Sequence, residues 1–371
     1  MKIGLLIYGS LETISGGYIY DRYLVDDLRA RGHTVEIISL PWRNYVAHLC
    51  DNFSPSLYHR LRRLNVDVLI QDELCHPSLG RVNRRLRGEI QYPILALVHH
   101  LRASEQHPAA LMPLYHGVEQ SYLQSVDGFI FNSQTTKLSV AQFVDTMPPN
   151  VIAFPGGDRL KMALNDDQIR LRVGRRGPLR ILFLGSITRR KQPHLLLQAC
   201  LALDSPDLQI TLIGSQQPEP RYARRIRALA ARLGERIPVK LIPALDANQL
   251  PGYLSEHDVL IVPSTYEGFG IVYLEGMAFG LPAIATRAGA AHETIRHGEN
   301  GFLIEPHDDA ALAAHIQQLS ANRGLLLKMG LAARKHYATS PTWAGMSASV
   351  NDFLESTYGK SDANKSTAPL H

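Results

Sequence analysis

Two carboxylates, Glu267 and Glu275, bracket seven residues in STYEGFGIVYLEGMAFG, residues 264–280. The run before them, HDVLIVP, is short and apolar and reads as a buried strand. Gly268, Phe269 and Gly270 then lead into a predicted helix that ends at Gly280, with Pro282 beyond it as a stop. The first amides of such a helix, near Gly270 and Ile271, have no partner inside it and suit phosphate oxygens. Glu267 lies just before them and can accept hydrogen bonds from hydroxyls of whatever carries the phosphate. Glu275 lies about a turn and a half into the helix and can reach hydroxyls on the other side. Hydroxyl-rich groups on both sides of a phosphate describe a nucleotide-sugar. Taken singly, either glutamate is better read as a cap or an exposed helix residue. The joint pattern points to a ligand.

Other strand ends carry matching chemistry. GSITRRKQP puts Arg189, Arg190 and Lys191 between a strand and a helix start, where cations and a helix dipole both favour an anion. GSLETISGG, read as a loop over residues 9–17, brings Gly16 and Gly17 to the start of another helix, where bare backbone can approach an anion. It is not G-x-G-x-x-G, so a dinucleotide fingerprint is absent. His99 ends the strand PILALVH and is followed by His100; on residues alone, a structural role is the commoner reading of a strand-end histidine. The other fourteen histidines show no metal-ligand spacing, and no Asp-x-Asp occurs, so no metal is expected at the diphosphate. Lysine and arginine would do that work.

The elements that must position these residues alternate. KIGLLIY, HTVEIISL, VDVLIQ, PILALVHH and DGFIFNS read as strands of a first half, with YIYDRYLVDDLRARG as a helix stopping at Gly32. The pattern restarts with LRILFLG, LQITLIG, VKLIPAL, HDVLIVPS and PAIATR as strands, and QPHLLLQACLAL and YARRIRALAARLG as helices. Strands alternating with helices predict parallel sheets covered on both faces, and 371 residues are too many for one such core. Ligands bind beyond the carboxyl ends of the strands of these sheets, so the expected site is a cleft where two sets of ends face each other.

Composition supports a soluble globular chain, with 45% hydrophobic and 20% charged residues. No apolar run approaches the ~20 residues of a membrane span, and MKIGLLIYGS is too short for a signal peptide. The three cysteines, Cys50, Cys75 and Cys200, fit neither a disulfide framework nor a zinc site, which implies a reducing cytosol. The formal charge of +5 is uneven: residues 1–165 carry 16 basic against 15 acidic residues, and residues 166–180 carry five Arg against two Asp. The excess is thus largely a basic linker, read as a solvated connector and not a nucleic-acid face. Arg60, Arg62, Arg63, Arg81, Arg84, Arg85 and Arg87 read as wet helix faces that together could touch anionic lipid headgroups.

Glu-x7-Glu with Gly-Phe-Gly after the first glutamate resembles the retaining glycosyltransferases of family 4, which have the GT-B fold: two doubly wound Rossmann-like α/β domains facing across a cleft. ISGG, RGHTVEI, VHH, FPGGD, FLGSITRRKQP, TLIGS, DVLIVPSTYEGFGIVYLEGMAFGLPAIAT and HGENGFLI follow the family's order over nearly the whole chain. The resemblance implies an acceptor-binding domain over 1–165, a linker over 166–180 and a nucleotide-sugar domain over 181–339. Helices near 340–358 would cross back to the first domain, and a flexible tail would run from 359 to 371. It implies a diphosphate held by Arg190, Lys191, the amides of Gly268, Phe269, Gly270 and Ile271, and the Gly16–Gly17 loop. Glu275 would hold the ribose and Glu267 the donor sugar, with His99 near the anomeric carbon and the acceptor. His99, Lys191 and Glu267 are then the catalytic candidates. Three features depart from the family. Gly185–Ser186 stands where Gly-Arg is usual, making Arg189 or Arg190 the substitute. FPGGD replaces a Pro-Asn-Gly pattern, and AGAAHE alters the sugar contacts near residues 288–290.

No cofactor beyond the nucleotide-diphospho-sugar co-substrate is expected; a UDP-sugar is favoured over a GDP-sugar. The acceptor would be a hydroxyl of a lipid, a lipid-linked saccharide or a small metabolite. The place would be the cytoplasm, with peripheral contact at the inner face of the membrane. There are two rivals: a sugar-nucleotide epimerase or hydrolase on the same fold, against which Glu-x7-Glu with Gly-Phe-Gly counts, and a non-catalytic nucleotide-sugar sensor, which Ser186 leaves open.

Overall fold

KIGLLIY forms β1 (Lys2–Tyr8), and all of its side chains but the first are buried. Continuous apolar runs of this kind suit strands covered on both faces. β3 (Val68–Asp72), β4 (Ile94–Val98) and β5 (Gly128–Phe131) follow the same rule and are buried throughout. β2 (Thr34–Leu40) alternates exposed and buried positions, as an edge strand does, and β6 (Asn150–Ile152) closes the other edge. The order is β2-β1-β3-β4-β5-β6, all parallel, with Leu5 paired to Ile37 on one side and Ile70 on the other. Leu6, Ile38, Leu69, Ala96, Phe129 and Phe131 form part of its core, packed with Leu79, Val82 and Tyr122.

A second parallel sheet is built from β7 (Leu179–Leu184), β8 (Leu208–Ile213), β9 (Val239–Ile242), β10 (Val259–Val262), β11 (Ala283–Thr286) and β12 (Gly301–Ile304), in the order β12-β11-β10-β7-β8-β9. The order reverses between β7 and β10, so their carboxyl ends flank a topological switch point. In the first sheet the reversal lies between β1 and β3.

This computed structural model describes residues 1–13, 15–203 and 207–359. It divides into two units. Unit 1 holds Met1–Ala103, His107–Phe154 and the segment from Ala344 onward; unit 2 holds Ser104–Gln106 and Pro155–Trp343. The helix Trp343–Tyr358 thus packs largely with unit 1: Asn351 Oδ1 lies 2.7 Å from His33 Nε2, and the Tyr358 hydroxyl donates to the Asp127 carbonyl at 3.3 Å. Of the expected tail, residues 360–371 lie outside the described residues.

Two local expectations are corrected. The loop read over residues 9–17 ends earlier, because Ser15 accepts a hydrogen bond from the Tyr18 amide and caps a helix over Gly16–Ala30. Gly16 and Gly17 are therefore the first turn of that helix. The stretch 166–180 is not a solvated connector either. Asp166–Val173 is a helix with an Asn165/Gln168 capping box, and it buries Ile169, Arg172 and Val173. The Arg172 guanidinium donates to the carbonyls of Phe279 and Gly280 at 2.7 and 2.9 Å. A cation at a helix C-terminus complements its dipole, and here it anchors the helix Ile271–Ala278.

Candidate active site

The loops after β7 and β10 are tied together by their main chains. The Thr265 amide donates to the Arg190 carbonyl at 2.7 Å, and the Arg190 guanidinium donates to the Tyr266 carbonyl at 2.8 Å. This brings Lys191 to Glu267: Nζ lies 2.5 Å from Oε1. Ser264 Oγ donates to the same oxygen at 2.5 Å, and Arg190 Nη1 lies 3.4 Å from it. Arg189 turns elsewhere, to Glu219 at 3.4 Å and over the Tyr222 ring. Of the two arginines offered as a substitute at Ser186, Arg190 is the one in the cluster with Glu267.

Glu267 is only 6% exposed. Burial alone would raise its carboxyl. The charges of Lys191 and then Arg190, with hydrogen bonds from Lys191 and Ser264, outweigh burial and hold it at about 2. Burial lowers the Lys191 ammonium, and Glu267 restores it only in part. The main chain of Glu267 is seated by the stretch 288–290, which the sequence analysis read only for sugar contacts. Gly289 (φ +79°) bridges to Glu267, and a methyl there would overlap the Glu267 carbonyl. The Ala290 amide donates to that carbonyl at 2.8 Å. The 288–290 segment therefore supports the backbone of Glu267.

Gly268, Phe269, Gly270 and Ile271 lead directly into Ile271–Ala278, whose first turn has no side-chain cap. Gly270 has φ +88°, and a methyl there would overlap the Tyr273 ring. That buried ring is held in turn by its hydroxyl, which donates to the Val262 carbonyl at 3.1 Å. Glu275 follows in the helix and is 1% exposed. Its Oε1 accepts from Arg159 Nε at 2.6 Å. Arg159 is the partner that sequence spacing missed, since 116 residues separate the two.

In unit 1 the structure joins Gly17 to His99: a methyl at Gly17 would lie 3.0 Å from His99 Cδ2, so glycine makes room for the ring. His99 Nε2 lies 3.1 Å from Asp21 Oδ1, and Asp21 is fully buried. An acceptor carboxylate sets the proton on Nε2. The Asn132 amide donates to the His99 carbonyl at 2.8 Å. Burial pulls the imidazole down, but the Asp21 hydrogen bond and charge, with Asp72 and Glu73 beyond, leave it raised. Asp21 was not singled out in the sequence; its place one helical turn after Gly17 was the available signal.

Unit 1 also gathers one of the other fourteen histidines with two carboxylates. Glu73, His76 and Glu119 bring their side-chain ligand atoms within 4.8 Å of one another, all buried. Glu73 Oε1 lies 2.9 Å from His76 Nδ1. Burial first, and then the charge of Glu73, raise Glu119 to about 8. The Glu73-x-x-His76 spacing was legible; the approach of Glu119 was not.

The seven clustered arginines are all exposed. Arg62 pairs with Glu89 at 2.8 Å, and Arg81 and Arg85 lie over the Phe53 and Tyr58 rings. Trp42, Val46 and Phe53 are exposed in the same unit, each by more than half. No described helix is long and apolar enough to cross a membrane.

Residues 166–336 match the family model described as "Glycosyl transferases group 1". A D-inositol 3-phosphate glycosyltransferase of Streptomyces scabiei is 30% identical over 232 residues, which cover 59% of this chain and 51% of the relative. The chain spans about half the length of the curated relatives it matches. Sucrose-phosphate synthase from Thermosynechococcus elongatus superposes with a TM-score of 0.80 at 23% identity, covering 97% of this chain and 100% of that one. HepE of Anabaena, solved in complex with UDP-glucose, gives 0.76 at 18%, covering 96% and 100%. In sequence, residues 166–336 are thus similar to the group 1 glycosyl transferases, and in fold the chain's two parallel-sheet α/β units are those of the GT-B glycosyltransferases.

Proposed function

We propose that the protein is a retaining, metal-independent glycosyltransferase of family 4, which moves a sugar from a nucleotide-diphospho-sugar to a hydroxyl acceptor. One observation carries the reading. At the switch point of the second sheet, Lys191, Arg190 and Glu267 converge beside the uncapped helix start at Gly270–Ile271. Cations and amides of this kind suit a diphosphate, and a carboxylate among them suits sugar hydroxyls.

In the proposed reaction the bond between the anomeric carbon and the diphosphate oxygen breaks, and its electron pair leaves with the diphosphate. Lys191, Arg190 and the loop amides stabilise the charge that develops there. The acceptor oxygen attacks on the same face, its bond to the anomeric carbon forms, and its proton passes to the departing phosphate oxygen. Glu267 holds hydroxyls of the donor sugar. Glu275, oriented by Arg159, takes the ribose. His99, with its tautomer set by Asp21, orients the acceptor and the sugar. Gly16 and Gly17 offer helix-start amides to the diphosphate.

A UDP-sugar is the favoured donor, in line with the nucleotide in the HepE complexes. The acceptor belongs to glycolipid, polysaccharide or glycoside biosynthesis; the curated relatives, named for D-inositol 3-phosphate, place a phosphorylated polyol in the panel to be tried. The exposed arginines and Trp42, Val46 and Phe53 support peripheral contact with an anionic membrane at its cytoplasmic face.

The test is a panel of UDP- and GDP-sugars incubated with candidate acceptors. A donor at 100 times its dissociation constant adds about 2.7 kcal/mol of stability, visible as a thermal shift. Release of the nucleoside diphosphate with a glycoside of unchanged anomeric configuration supports the reading. An epimerised donor, hydrolysis without transfer, an inverted product, or binding without turnover would each reject it.

A further inference from the structure

We propose that unit 1 binds a divalent transition-metal cation between Glu73, His76 and Glu119. Glu73 and His76 follow β3, where a short turn over Glu73–Cys75 passes into the helix His76–Leu86. Glu119 comes from a different helix, Met112–Leu123. None of the three residues is more than 4% exposed, and their ligand atoms lie within 4.8 Å of one another. One imidazole and two carboxylates suit zinc and its neighbours, whereas magnesium and calcium favour oxygen ligands alone.

The surroundings fit a metal centre. His76 Nε2 lies 3.2 Å from the Tyr45 hydroxyl, and Nδ1 lies 3.0 Å from the Glu73 carbonyl and 2.9 Å from its carboxylate, so a cation at Nδ1 would replace the proton given to that carbonyl while Tyr45 holds the ring. The Glu119 carboxylate is held by the Arg102 and Ala103 amides at 2.6 and 2.9 Å. The Arg102 guanidinium lies over the Tyr45 and Tyr115 rings, 5.0 and 4.7 Å from their centres.

A second observation, independent of the three ligands, comes from a tyrosine beside His76. The Tyr122 hydroxyl is fully buried, and its oxygen has no hydrogen-bond partner among the described residues. Its ring centre lies 6.5 Å from that of His76, and Glu73 is the charge that acts on it most. A buried hydroxyl without a partner is costly, and a metal-bound water beside Glu73 would satisfy it. His76 also lines a pocket of about 220 Å³, with Asn52, Phe53, Arg84, Val118 and Ser121 among others. The bound cation would pin the end of β3 to both helices, independently of sugar transfer.

The test uses the full chain, stripped with a chelator and titrated with cobalt(II) and then zinc(II). Visible d–d absorption should saturate at about one equivalent of cobalt, and zinc should displace it. His76→Ala should weaken zinc by at least about 100-fold. Glu119→Gln should weaken it by about 10–100-fold, and Tyr45→Phe, which removes only the hydroxyl that orients His76, by about 10-fold. Circular dichroism of each variant separates loss of the site from loss of the fold, and Tyr45→Phe keeps all three ligands in place. A folded, stripped protein that takes up no cobalt or zinc would overturn the proposal. So would uptake unchanged by His76→Ala and Tyr45→Phe, which would put the metal elsewhere.

Discussion

Replacing Lys191 by methionine keeps most of the side-chain volume and removes the charge 2.5 Å from Glu267. The carboxylate then stays buried with Ser264 and a more distant Arg190. The drop of the Glu267 carboxyl from 4.5 to about 2 is worth roughly 3 kcal/mol, at about 1.4 kcal/mol for each tenfold change in proton affinity. Lys191 itself is lowered by burial, so the lysine's transfer into unit 2 is costly and roughly 3 kcal/mol is an upper figure for the pair. Because Glu267 is depressed in the folded protein, its stabilisation is complete above the ordinary value of 4.5 and is lost as pH falls through about 2. Lys191→Met should therefore destabilise unit 2 by about 2–3 kcal/mol near neutral pH, and the gap to wild type should narrow as pH falls below 4.5. The double variant Lys191→Met/Glu267→Gln, with no charge left unpaired, should recover most of the loss. Activity should behave differently. If Lys191 stabilises the departing diphosphate, kcat should fall by about 10²–10³ in the single variant and stay low in the double one. Urea unfolding followed by circular dichroism, together with kcat and KM for one identified donor, measures both. A single variant as stable as wild type near neutral pH would refute the buried pair. A double variant that regains kcat would refute the electrostatic role.

Glu275→Ala should weaken donor and free nucleoside diphosphate alike, by roughly 1.5–3 kcal/mol in calorimetry, and Arg159→Ala should weaken both in the same direction. Glu267→Ala should spare the free nucleotide and lower turnover; equal losses for the two glutamates would undo the division between ribose and sugar. Gly270→Ala places a methyl at φ +88° against the Tyr273 ring and should cost about 1–3 kcal/mol in thermal unfolding; an unchanged melting temperature would show that the loop is not so constrained. Asp21→Asn removes the group that raises His99, so the imidazole resonances should titrate at lower pH by NMR; an unmoved midpoint would detach Asp21 from His99. The protein should float with anionic and not with neutral vesicles, at about 1 kcal/mol per basic residue near the surface. Flotation with neither, or equally with both, would reject membrane contact.

What could be read from the chain follows the range over which each signal acts. β10 is an apolar run throughout, β1 and β7 are apolar after their first two residues, and burial on both faces of a sheet leaves that mark in consecutive residues. The Gly-Phe-Gly entry to Ile271–Ala278 and the place of Lys191 just before Pro193–Leu201 were legible for the same reason, since a helix start is written in neighbouring residues. The arginine-rich stretch 166–180 was misread because charge composition does not reveal pairing. Arg172 is buried by carbonyls more than a hundred residues away, and its guanidinium lies 3.9 Å from Asp258.

The sequence by itself determined two parallel α/β units and the loops from which ligand-binding groups would come, because periodicity and turn chemistry are local. Only the tertiary structure decided which side chains from different loops meet. Arg159 reaches Glu275 across 116 residues, Asp21 reaches His99 across 78, and Lys191 reaches Glu267 across 76. Parallel strands bring distant loops to a common edge through crossovers, and the register that aligns those loops is set by packing across the whole sheet, which no short window of sequence contains.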